Sequence, residues 1–100
     1  MAKANYILSK KAQDDLVDIW DYTVETWSVK QVEIYFQNLF SAFENIANHP
    51  TSAGRLYEDV KAGYRGVQCG RHIVFYRILK NKKVRIIRVL HERMDFERHL

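Results

Sequence analysis

Two amphipathic segments with almost nothing between them constrain what this chain can fold into. From Lys10 to Trp27 the apolar positions are Ala12, Leu16, Ile19, Trp20, Val24 and Trp27. That spacing sets one stripe along an α-helix. Val32, Tyr35, Phe36, Leu39, Phe40, Phe43, Ile46 and Ala47 form a second, wider stripe. Ser9 stands before the first segment and Ser28 before the second. A serine hydroxyl at that place accepts from the unpaired N–H groups of the first helical turn. Gln31, three residues after Ser28, completes the sequence pattern of a capping box. His49-Pro50 ends the second helix, because proline disfavours helical backbone in the residue before it. Two helices of about five turns, linked so tightly, must fold back as an antiparallel hairpin.

The chain changes character after Pro50. Residues 51–54 read as a loop. Residues 64–69, 72–79 and 84–90 are rich in β-branched and aromatic side chains and read as strands. Gly70-Arg71 and Lys80-Asn81-Lys82-Lys83 are short enough to be hairpin loops, which makes the three strands a meander. Residues 4–8 read as a further strand that joins the sheet edge. The expected class is α+β, in the order β-α-α-β-β-β, with a helical hairpin packed on a small antiparallel sheet. One hundred residues support a single domain, 1–100. The polar tail from Arg93 to Leu100 is expected to form a helical turn or to fray.

Charge is uneven along the chain. Residues 1–54 hold four Lys or Arg against seven Asp or Glu, a net of −3. Residues 55–100 hold twelve against five, a net of +7. The basic half should attract an acidic partner. Strand alternation sends Arg85, Ile87, Val89 and His91 to one face, and Val84, Ile86, Arg88 and Leu90 to the other. Which face meets the helices is open at this point. Asp14, Asp15, Asp18, Asp21 and Glu25 lie largely off the first helix's stripe and read as a solvated face.

Several chemistries find no support. The four glycines form no phosphate-binding loop, and no Cys/His set has zinc spacing. No metal or cofactor is expected. Cys69 is the only cysteine and reads as a buried, inert thiol. Phe75 and Tyr76 read as packing residues, and so do Trp20 and Trp27. His72 and His91 are the acid–base candidates, since histidine titrates near neutrality. No apolar run approaches membrane-spanning length, and the N-terminus lacks the apolar core of a signal peptide. A cytoplasmic protein with no membrane association is expected.

The stretch from Gly70 to Arg77, followed by Val84 to Asp95, resembles the ParE branch of the RelE/ParE toxin superfamily. Ala12, Asp15-Leu16, Ile19 and Tyr22 on the first helix agree, as do Pro50 and Gly54-Arg55 after the second. The resemblance covers nearly the whole chain. It implies the toxin of a type II toxin–antitoxin system, causing growth arrest and serving plasmid or chromosomal stability. It implies inhibition of DNA gyrase by direct binding, without enzymatic chemistry. It also implies a ParD-like antitoxin that wraps an acidic segment around the toxin and links it only indirectly to operator DNA. Arg65, Arg71, Tyr76, Arg77 and Arg88 are the expected antitoxin-binding residues. Arg93, Phe96 and Arg98 are the expected gyrase-binding residues, on a tail whose deletion should leave the core folded. The alternative is a ribosome-dependent mRNA ribonuclease of RelE type, with Arg65, Arg88 and Arg93 as cations and His91 as base. That branch often has a Tyr or His near its C-terminus. No Tyr follows Tyr76 here, and Phe96 has no proton to transfer, which leaves His91 or His99 to take that role.

Overall fold

The computed structural model describes residues 6–100. The first two residues of the strand expected over 4–8, and the N-terminus before them, lie outside the described residues. Strand β1 (Tyr6–Leu8) leads into helix α1 (Lys10–Thr26), and helix α2 (Val29–Asn48) follows. Then come β2 (Arg55–Leu56), β3 (Arg65–Cys69), β4 (His72–Ile78), β5 (Val84–His91) and the short helix α3 (Phe96–His99).

The two serine caps form as their positions require. Ser9 Oγ accepts from Ala12 N at 3.0 Å and donates to Ile87 O at 2.6 Å. One hydroxyl thus starts α1 and fastens it to β5. Ser28 and Gln31 complete a reciprocal capping box. With Trp27 and Ser28 alone between the helices, α2 runs back along α1.

The five strands form one sheet in the order β1-β5-β4-β3-β2. The meander is antiparallel, but β1 pairs parallel to β5, so the sheet is mixed. The helical hairpin carries the chain across the sheet before its far edge strand is laid down. The added two-residue strand β2 pairs with β3 and extends the opposite edge.

The helices cover one face. Ala12, Ile19, Leu39, Phe43 and Ile46 meet Val74, Tyr76, Val84, Ile86 and Val89 in the main core. Fully burying one such large side chain contributes about 1.5–3 kcal/mol. The other face is also partly covered. Tyr57, Ile73, Phe75 and Leu90 form a second cluster, with Val60, Phe96 and Leu100 packed against it. The tail therefore docks. Phe96 meets Phe75 edge-on at 5.0 Å and Tyr57 at 6.3 Å, and Lys61 Nζ donates to Leu100 O at 2.7 Å. Deleting the tail would uncover this second cluster.

Two further expectations need correction. Simple alternation fails along β5, because the pairing skips Ile87: Phe75 faces Arg88 while Tyr76 faces Ile86. The bulge re-aims the strand, so Val84, Ile86 and Val89 all join the helix-side core and Leu90 joins the other. Asp15 is not solvated. It lies three residues after Ala12 and four before Ile19, which places it beside the buried stripe. Trp20 and Trp27 are each 37% exposed. They lean edge-on against Phe36 and Tyr35, packing the hairpin as expected, at its surface and not in the core. Cys69 is half-buried, and burial pushes its thiol pKa up, away from the reactive thiolate.

Candidate partner-binding surface

The five residues expected to meet an antitoxin separate into two groups. Tyr76 has no exposed surface, and its Oη donates to Pro50 O at 2.6 Å. It belongs to the core. Arg88 is internal as well. Its Nε and Nη2 donate to the two Asp15 carboxylate oxygens at 2.8 and 2.7 Å, and its Nη1 donates to His99 O at 3.0 Å. Asp15 also accepts from Val89 N at 2.9 Å, so it caps the edge of β5 beyond the reach of β1. The bond to Asp15 holds the Arg88 guanidinium above its ordinary pKa. Arg65 Nη1 donates to Thr51 O and Gly54 O, pinning the loop that follows α2. Arg71 and Arg77 remain exposed. Arg71 stands 3.6 Å from Glu92, and Arg77 lies over the Tyr64 ring at 5.4 Å. An exposed pair such as Arg71–Glu92 contributes at most about 1 kcal/mol, so Arg71 can be released to a partner.

Away from the helices, β4 and β5 set Arg77 directly opposite Arg85. Lys10 and Lys11, at the start of α1, close the same side. Together with Tyr64, Leu79 and Ile87 they line an open groove of about 410 Å³. The two lysines are absent from the sequence-derived candidates. Their signal was available: cations in the first turn of a helix oppose its dipole.

The opposite end of the sheet holds the histidines. Tyr35 Oη lies 2.5 Å from His72 Nδ1 and accepts from Arg71 N at 3.1 Å. His91 stacks edge-on beside His72 at 5.4 Å, and its Nδ1 accepts from Arg93 N at 3.2 Å. Burial, and then the neighbouring His91, lowers the His72 pKa to about 4. His72 is thus a neutral packing residue at physiological pH, held by a Tyr35 hydroxyl that the sequence patterns did not single out.

On the tail, Arg93 and Arg98 are exposed while Phe96 is the anchor on Tyr57 and Phe75. The outer side of the helices exposes Val17, Trp20, Tyr22, Ile34 and Phe40. Several large apolar side chains exposed on one helical layer suit a protein partner. Among the described residues no three His, Cys, Asp or Glu could hold a metal ion. No described helix is long and apolar enough to cross a membrane.

Residues 6–96 match the family model of the ParE toxin of the type II toxin–antitoxin system parDE. Toxin ParE1 of Caulobacter vibrioides is 44% identical over 95 residues, covering 95% of this chain and 96% of that one. Toxin ParE1 of Mycobacterium tuberculosis is 39% identical over 97 residues, covering 97% and 98%. The solved chromosomal ParDE toxin–antitoxin system from P. aeruginosa shares the fold. Its TM-score is 0.69 at 23% identity, over 86% of this chain and 92% of that one.

Proposed function

Since the chain belongs to the ParE toxin family of type II toxin–antitoxin systems, we propose that it arrests growth by binding DNA gyrase, and that a ParD-like antitoxin neutralises it. The action is stoichiometric and takes place in the cytoplasm. One observation carries the non-enzymatic reading. Of the side chains that a ribonuclease would combine, all but the exposed Arg93 are already engaged elsewhere. Arg88 is held by Asp15, Arg65 by loop carbonyls, and His91 by the backbone of Arg93. Transphosphorylation needs a base, an acid and free cations converging on one phosphate. Of the exposed cations, Arg77 and Arg85 lie on the other end of the strands, six or more residues from His91, which leaves Arg93 as the one free member of that set beside it.

The antitoxin lays an apolar helix over the exposed side chains of α1 and α2 and extends an acidic segment toward Arg71 and Arg77. Its hold on operator DNA brings the toxin there indirectly. Gyrase is met by the tail, through Arg93 and Arg98, which Phe96 keeps in place. A supercoiling assay with purified gyrase tests the target. Inhibition at micromolar protein is expected, and full supercoiling in the presence of folded chain would overturn the proposal.

A further inference from the structure

The groove on the sheet's far side concentrates placements that are unfavourable without an anion. Arg77 and Arg85 are direct cross-strand neighbours, and like charges so placed repel. Among the described residues neither makes an ion pair. Lys10 and Lys11 add two cations at the dipole-positive end of α1. Lys10 reaches Asp14 at 2.6 Å on the exposed helix surface, and Lys11 has no ion pair among the described residues. No described carboxylate lines the groove. Beyond Leu79 the β4–β5 turn carries Lys80, Lys82 and Lys83, which prolong the same positive strip past the ends of both strands.

We propose that this groove binds the sugar–phosphate backbone of duplex DNA, by direct contact with this chain. The contact goes beyond the indirect link to operator DNA, and it does not depend on gyrase being the target. Two features select the ligand. Protein partners are recognised through buried aromatic and aliphatic anchors, with charge at the rim. Here the exposed apolar side chains of the helical layer are elsewhere, and the groove offers only Leu79, Ile87 and a Tyr64 ring. Single strands need open aromatic platforms on which bases stack. The Tyr64 ring is already faced by Arg77 at 5.4 Å and Lys61 at 5.3 Å. What remains is a row of forked guanidinium and ammonium donors, the set that phosphate oxygens accept from. Such contacts position a duplex without reading its sequence. Arg77 is shared with the proposed antitoxin surface, so antitoxin and DNA compete for it.

Fluorescence anisotropy with a labelled duplex of roughly 20 base pairs, with neither gyrase nor antitoxin present, tests this directly. Four lining cations set an expected slope of log affinity against log salt of about −3 to −4. Arg85→Glu should weaken binding about tenfold at roughly 100 mM salt and flatten the slope by about 1. Arg85→Lys should keep the affinity within a few-fold, and circular dichroism would verify the fold of each variant. Lys30→Glu makes the same charge change on the exposed start of α2, at the other end of the hairpin, and should shift affinity by less than about twofold. Equal losses in Arg85→Glu and Lys30→Glu would reduce the effect to net charge and overturn the proposal. Tighter binding of a poly-glutamate peptide of matched charge would reassign the groove to an acidic protein segment. Preference for a single-stranded oligonucleotide, or no binding of duplex at low salt, would also overturn it.

Discussion

Replacing Asp15 by alanine should be among the most damaging single changes in this chain. Its carboxylate accepts from Arg88 Nε and Nη2 and from Val89 N, all within 2.7–2.9 Å. The side chains of Arg88 and Asp15 are 15% and 12% exposed, so water cannot take over these bonds in place. Removing one partner of a buried pair typically costs about 3–5 kcal/mol, because the other charge is left unpaired. Residual exposure here favours the low end, about 3 kcal/mol. A domain of this size has a total stability of about 5–15 kcal/mol. With 1 kcal/mol shifting Tm by about 4–8 °C in a 60–100-residue domain, Asp15→Ala should lower Tm by roughly 12 °C or more. Urea titration followed by circular dichroism reads the same loss as a fall in midpoint. The double variant Asp15→Leu/Arg88→Met should recover most of it, because an apolar pair leaves no buried charge. A loss below about 1 kcal/mol in Asp15→Ala would refute the claim that this pair locks α1 to the bulged strand.

Three other outcomes follow from the same structure. The His72 pKa is lowered to about 4 in the folded chain against 6.5 unfolded, so the unfolded state binds more protons between those values. Stability should be full above about pH 6.5 and fall as pH drops toward 4. His72→Gln should flatten that slope in urea titrations across the window. Phe96→Ala should cost about 2–3 kcal/mol in the same titrations, since it uncovers Tyr57 and Phe75. A change below 0.5 kcal/mol, roughly the level of a surface substitution, would mean that the tail is not docked. Gly70 turns the β3–β4 hairpin at φ 59°, and a Cβ there would meet Tyr35 Cε1 at 2.5 Å. Gly70→Ala should lower stability by about 2 kcal/mol through left-handed strain and displacement of the Tyr35 ring. An unchanged thermal midpoint would contradict that geometry.

The local grammar of the chain was legible because it depends on neighbours in sequence. Ser9, Ser28 and Gln31 mark the helix starts by residue type alone, and the 3.6-residue stripes identify the faces that Leu39 and Phe43 bury. The three long strands appeared within a residue or so of their bounds. What was hidden depends on partners far along the chain. Asp15 reads as one acid among five, because its partner Arg88 lies 73 residues away. Its place between Ala12 and Ile19 was the available clue. Phe96 is a lone aromatic in a polar tail, and nothing periodic announces that Tyr57 and Phe75 will receive it. The bulge at Ile87 changes the parity of β5, so alternation placed Arg88 and Val89 on the wrong faces. The groove is half visible in the sequence: Arg77 and Arg85 are cations on expected strands, while only the fold brings Lys10 and Lys11 beside them.

Mapping RNA 5′ ends in cells that express the chain, alongside gyrase-linked DNA breaks, tests the central claim that it acts by binding and cuts no phosphodiester bond. Growth arrest with accumulating protein-linked breaks, and an unchanged set of transcript ends, is the expected result. New transcript ends inside coding regions that vanish on replacing His91 with alanine, in a chain that still folds, would contradict it.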